Sequence, residues 1–329
     1  MNLLRPILAL VVILGACMVS KTYSAHHVNE NVFKQLYLHL IPADLEVPSA
    51  DDHGASADEH GEVAHVAGEP LLALPLPGPL GIFDYYNYTD EDPATAATLR
   101  LTNLQIFQFA AVLLIFILLG GIPSYLRTGR GDWFTRTFTG FAMYVRDEMV
   151  VPVMGKETGR KYLPYFLTIF FFILFMNLMG LVPGSATATA SIFVTCGLAV
   201  ITFGSMVICG MVVQGPVAFV KNLVPHVPLA LWPLLFVVEI IGILVKPFAL
   251  MIRLFANMSG GHMVVLSFLG LIFFFGQNMG QTMGLIISPV AVAFAVFIMI
   301  IESFVAMVQA YIFTQLSIIF VQASIHPDH

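Results

Sequence analysis

Proton-carrying and permanently charged side chains gather in two apolar runs near the end of the chain. The first run holds Glu239, Lys246, Arg253, Asn257 and His262; the second holds Glu302 and Gln309. A guanidinium stays charged at any accessible pH, so Arg253 cannot escape an apolar setting by losing its proton. Such a charge at the centre of a bilayer helix costs at least about 2.5–3.5 kcal/mol on insertion scales. A carboxylic acid and an imidazole differ, since each takes up a proton and passes it on. The set fits proton movement around a fixed cation, with no covalent step. Plainer roles compete: neutralising a buried acid for Arg253, an interhelical hydrogen bond for His262 and Glu302, packing for Gln309. For Lys246, snorkelling to the surface or pairing with Glu239 is the expected use.

Spacing arranges these groups. Glu239, Lys246 and Arg253 recur every seven residues, along one helix stripe that Asn257 and Gly260 continue. That stripe drifts only about 20° per step. His262 falls on the opposite side from Arg253, because nine residues make two and a half turns at about 3.6 residues each. Glu302, Ala306 and Gln309 share a face. An antiparallel pairing with Gln309 level with Arg253 predicts Glu302 about 10.5 Å and His262 about 13.5 Å toward the turn joining the runs. Glu239 falls about 21 Å the other way. A continuous proton wire has no use for a fixed cation in its middle, so two half-pathways divided by Arg253 are expected.

Membrane helices are needed to hold this arrangement. The 329 residues are 58% hydrophobic and 10% charged, and mean hydropathy is +0.87, which places the chain among polytopic membrane proteins. After Lys161 the only cations are Lys221, Lys246 and Arg253, and the only acids are Glu239, Glu302 and Asp328. No basic stripe favours nucleic acid. Cys17, Cys196 and Cys209 form no metal or disulfide spacing.

Spans are predicted at about Leu104–Tyr125, Tyr162–Gly184 and Ser191–Val213, followed by long apolar segments at about Leu229–Phe275 and Met283–Gln322. The long segments exceed the ~20 residues that cross a bilayer upright, so they tilt, bend or break, with Gly260-Gly261 and Gly276 as candidate bends. Between the first two spans lie Arg127, Arg130, Arg136, Arg146, Lys156, Arg160 and Lys161, which assigns this connection to the cytoplasm. Phe134, Phe138, Phe141, Val145 and Met149 within it recur at helical spacing, an amphipathic helix for the membrane surface or a partner subunit. Five crossings then leave the N-terminus outside and the C-terminus in the cytoplasm. Asn177, polar at membrane depth, is expected to hydrogen-bond a neighbouring helix more than to contact an ion. The fold class is all-α, and no internal repeat is evident.

Residues 1–25 read as a signal-like segment, with a lipid-modified Cys17 or a retained anchor as alternatives. Residues 26–99 form an acidic, histidine-bearing extracytoplasmic tail, partly disordered, and 100–329 the membrane domain. His53, His60 and His65 match no metal motif.

The run KPFALMIRLFANMSGGH at 246–262 resembles the signature segment of subunit a of F-type ATP synthases. FFFILFMNLMGLVPG at 170–184 is similar to that family's preceding hairpin, and ESFVAMVQAYIFTQLSIIF at 302–320 to its last helix. The likeness covers roughly residues 100–325 and leaves the N-terminal segment outside. It implies a stator facing a rotating ring of c subunits, held with peripheral-stalk b subunits in the rest of the synthase. Arg253 takes the place of the family's essential arginine, Glu239 of the acid on the cytoplasmic half-channel, and His262 with Glu302 of the titratable pair of the outer one. Asn257 and Gln309 match polar positions near the arginine. Many bacterial members carry the acid and histidine of that pair in the reverse order.

No GxxxxGK[ST] motif occurs, so ATP chemistry is expected in other subunits, and no cofactor is implied. Competing readings are a self-contained channel or secondary transporter, a sodium-translocating version of the same subunit, and a scaffold. The N-terminal segment favours a bacterial inner membrane over a mitochondrial one.

Overall fold

A computed structural model describes residues 4–23, 46–47, 69–70, 73–75, 98–100, 102–129, 131–182, 187–221 and 232–326. The helices are α1 (Leu4–Tyr23), α2 (Asn103–Leu119), α3 (Ile122–Thr128), α4 (Trp133–Tyr144), α5 (Val151–Met154), α6 (Lys156–Gly180), α7 (Ile192–Gln214), α8 (Pro216–Lys221), α9 (Trp232–Met279) and α10 (Gln281–Ile325). A π-helix, Val145–Val150, joins α4 to α5, and a 3₁₀ turn, Ala188–Ala190, precedes α7. Two short antiparallel ladders lie in the N-terminal segment: Glu46–Val47 against Glu69–Pro70, and Ala73–Pro75 against Thr98–Arg100. His53, His60 and His65 fall outside the described residues.

Five stretches among the described residues are long and apolar enough to cross a membrane: Asn103–Thr128, Lys156–Gly180, Ile192–Gln214, Leu234–Met279 and Gln281–Ile325. The chain is an all-α polytopic membrane protein with the expected number of spans. The two long helices have 48 and 45 residues. At about 1.5 Å per residue each is about 70 Å long, more than twice the ~30 Å hydrocarbon layer, so both lie far from upright. Neither helix is interrupted. Gly260, Gly261 and Gly276 sit inside unbroken α9, and the chain reverses at Gly280 alone, whose φ is 93°. Helical hydrogen bonds in lipid have no water to replace them, which makes an interior break costly. A methyl on Gly284 would lie 3.0 Å from Gly276 Cα and 3.1 Å from the Ile272 carbonyl oxygen, so the hairpin closes backbone against backbone.

The core sits where α6 and α10 cross. Phe166, Phe171, Ile173, Met176, Leu250, Leu254, Met258, Phe313 and Ile318 are among its fully buried side chains. The amphipathic helix finds cover within its own chain. Phe138 packs 5.9 Å, centroid to centroid, from both Phe171 and Phe175 of α6, and Tyr144 lies 6.5 Å from Tyr311 of α10. The π-helix then shifts the phase of the buried face, which passes through Val145, Met149 and Val150. On its exposed side Arg146 Nε donates to Asp147 Oδ1 at 2.7 Å, and this guanidinium holds the Asp147 carboxyl below the usual carboxylate range. An exposed pair of this kind adds little stability.

Helix α1 packs along α2, with Ala9 and Ala16 in the common core. Arg5 Nη1 donates to Thr135 Oγ1 at 2.5 Å, so the start of α1 shares a side with the arginine-rich connection. At that same end of the bundle, Gln214 Nε2 donates to the Ser324 carbonyl at 2.7 Å and Ser324 Oγ to the Met206 carbonyl at 2.6 Å, tying α7 to the last turn of α10.

Candidate functional site

The α9–α10 hairpin brings most of the sequence-selected residues together, in a register one turn away from the expected one. Asn257 Nδ2 donates to Gln309 Oε1 at 2.9 Å, and Lys246 Nζ lies 5.6 Å from the centroid of the Phe320 ring. Gln309 is therefore level with Asn257, and Arg253 is about 6 Å from that level, opposite the Phe313 turn. Antiparallel helices slide in one-turn steps at little loss of ridge-and-groove fit, which is why spacing alone misplaced the pair. The correction lengthens the axial separation of Glu302 from Arg253 to about 16 Å.

Arg253 occupies the outward face of α9, exposed, without a hydrogen bond or ion pair among the described residues. Lys246, Asn257 and Gly260 are exposed along the same stripe, and Glu239 is half-buried two heptads earlier. Around the stripe stand Phe248 and Ile252, both substantially exposed. The chain thus presents a permanent cation on an apolar face, and no described residue supplies an anion for it. Among the described residues no acid stands close enough for Arg253 to neutralise. Lys246 does not pair with Glu239 either; its ammonium lies over the Phe320 ring, an arrangement worth about 0.5–1 kcal/mol when exposed.

Toward the hairpin turn the environment changes. Glu302 is 5% exposed and packs against the backbone of Gly261; a methyl on Gly261 would fall 2.6 Å from the Glu302 carboxyl carbon. His262 follows directly in α9 and is half-buried, its Nδ1 3.4 Å from Thr187 Oγ1. Ser259 Oγ donates to the Ala190 carbonyl at 3.2 Å, so the turn before α7 is fastened to α9 beside His262. Asn177 is fully buried on α6 and Nδ2 donates to the Ala306 carbonyl of α10 at 3.5 Å, the interhelical bond expected of it. Glu302 Oε2, Asn177 Oδ1 and Thr189 Oγ1 are buried with no partner, and Gln309 Nε2 is likewise unpaired. Unpaired buried polar atoms are costly, and their grouping on three elements marks a polar seam between α6, α9, α10 and the turn.

Sequence reasoning missed Thr187, Ser259 and Gly261. The first two sit in a turn and on the flank of the stripe, where a hydroxyl gives no signal by itself. Gly261 was read as a bend; its use is to admit the Glu302 carboxyl against the helix backbone. Among the described residues no group of three or more His, Cys, Asp or Glu side chains could hold a metal.

Residues 104–322 match the family model described as ATP synthase A chain. The chain is 44% identical over 192 residues to ATP synthase subunit a of Myxococcus xanthus, covering 57% of this chain and 61% of that protein. To the protein of the same description from Chloroherpeton thalassium it is 38% identical over 235 residues, covering 70% of this chain and 68% of the relative. A similar protein from Anaeromyxobacter dehalogenans is 40% identical over 220 residues, covering 66% and 55%. The chain therefore spans about three fifths of the length of some of the relatives it matches.

Proposed function

This chain belongs to the ATP synthase A chain family, and from that premise we propose that it is the proton-translocating stator subunit of an F-type ATP synthase. The ATP chemistry lies in other subunits. The reading is supported above all by Arg253: a permanent cation on an outward apolar face, with no counter-charge among the described residues. A ring of c subunits bearing membrane-embedded carboxylates supplies that counter-charge. The same surface repels protons that would otherwise pass straight between the two half-channels.

Protons enter from outside along the polar seam, by way of His262 and Glu302, and neutralise a ring carboxylate. The neutral carboxyl then crosses lipid at far lower cost than the ion. After nearly a full turn it meets the cytoplasmic half-channel near Glu239 and releases its proton. Arg253 attracts the carboxylate so formed and hands it back to the entry side. Asn257 and Gln309 hold α9 and α10 in register beside the arginine, Asn177 supports α10 from behind, and Lys246 steadies the cytoplasmic end. Each proton crossing releases about 2.3 kcal/mol per 100 mV of membrane potential.

Peripheral-stalk b subunits hold the chain against the torque. It lies in a bacterial inner membrane with the segment 26–99 outside and the C-terminus in the cytoplasm. Purified chain in liposomes tests the stator reading against a self-contained channel. No proton or sodium flux above empty vesicles is expected from the chain alone, and proton flux is expected when the ring is reconstituted with it. Flux from the chain alone would replace the stator with a channel or transporter.

A further inference from the structure

Thr187 contributes a hydroxyl that the pathway above leaves without a task. It is 5% exposed, at the start of the turn between α6 and α7. Its Oγ1 lies 3.2 Å from the Gly180 carbonyl oxygen and 3.4 Å from His262 Nδ1. A carbonyl oxygen only accepts and a hydroxyl has one hydrogen. With that hydrogen on Gly180, Thr187 can meet Nδ1 only as an acceptor. The neutral His262 ring then carries its proton on Nδ1, and Nε2 is the unprotonated nitrogen.

The seat for this hydroxyl is built from two sides. Gly180 has no Cβ; a methyl there would stand 2.7 Å from Thr187 Cγ2 and 3.1 Å from its Oγ1, pushing the side chain off the helix end. Ser259 binds the Ala190 carbonyl and fixes the other end of the short turn to the turn of α9 that precedes His262. The hydroxyl is thus held against the imidazole by the fold and does not wander on a free loop.

We propose that Thr187 is a positioning residue for proton entry, holding His262 by Nδ1–H so that Nε2 is the atom that gains and loses the proton. Nε2 takes a proton from the outer side to give the imidazolium, then returns the same proton toward Glu302. The Nδ1–H bond stays on Thr187 through both steps. An oxygen that accepts from one ring nitrogen is a common way to set a histidine's tautomer. The inference rests on the stator reading, and its test separates the two.

Whole synthase carrying Thr187→Val or Thr187→Ser is reconstituted in vesicles, and ATP synthesis is followed at a low driving force where proton entry limits the rate. Valine keeps the volume and removes the hydroxyl; serine keeps the hydroxyl. Thr187→Val is expected to slow synthesis roughly three- to tenfold, the size of losing one neutral hydrogen bond, and Thr187→Ser to restore most of it. On a His262→Ala background the valine substitution is expected to add nothing. A valine variant as fast as the parent would overturn the proposal. So would a serine variant as slow as valine, or full additivity with His262→Ala. Arg253→Ala run alongside distinguishes the levels: if it still makes ATP, the stator reading fails, whereas a neutral Thr187→Val beside a dead Arg253→Ala removes only the role of Thr187.

Discussion

Arg253→Ala is expected to lower proton-driven ATP synthesis at least a hundredfold in complexes that assemble normally, while passive proton leak through the membrane sector rises. The size follows from the charge. Two unit charges 4 Å apart attract by roughly 4 kcal/mol at an effective dielectric of 20, and that much energy corresponds to about three decades in rate. Alanine removes both uses of the charge at once, the attraction for an ionised ring carboxylate and the repulsion of a passing proton. Assembly should survive, because Arg253 is exposed on α9 and holds no partner among the described residues. ATP synthesis within a few-fold of the parent, in assembled complexes, would make this chain a scaffold.

The second large effect falls on the other side of the seam. Glu302→Gln is expected to slow proton entry about tenfold or more, less than the full ~10²–10⁴ that a positioned acid–base group contributes, since His262 remains. Glutamine has nearly the same shape, fits the same bed against Gly261, and cannot ionise. The protein should therefore fold and assemble, so that the change reads proton transfer instead of packing. Rates of acid-driven synthesis and of ATP-driven proton pumping, measured on the same vesicles, should fall together. Unaltered rates would take Glu302 out of the pathway and leave it as a buried packing residue.

Much of this molecule was legible because a bilayer leaves few choices. A guanidinium and two acids in otherwise apolar runs are conspicuous where most other side chains are hydrocarbon, and the helices around them follow from the length of those runs. The seven-residue spacing of Glu239, Lys246 and Arg253 correctly placed them on one stripe of a single helix. Three matters were not legible. The register of α9 against α10 depends on which ridges interlock, and Asn257 with Gln309 closes one turn from the expected pairing. The glycines at 260 and 261 carried opposite meanings, a bend or a close approach, and only the packed neighbour of Gly261 decides between them. Thr187 owes its place to the end of α6 and to meeting His262 in α9, 75 residues further along the chain, and no local pattern reports that.

The central claim is that the missing partner of Arg253 is a carboxylate on a rotating ring. A map of the assembled complex, sorted by rotary position, measures this directly. The account predicts that the stripe of Lys246, Arg253, Asn257 and Gly260 faces the ring, with a ring carboxylate within about 6 Å of the Arg253 guanidinium in at least one position, close enough for one to stabilise the charge of the other. A stripe that faces lipid, the peripheral stalk or another helix of its own chain in every position would contradict it.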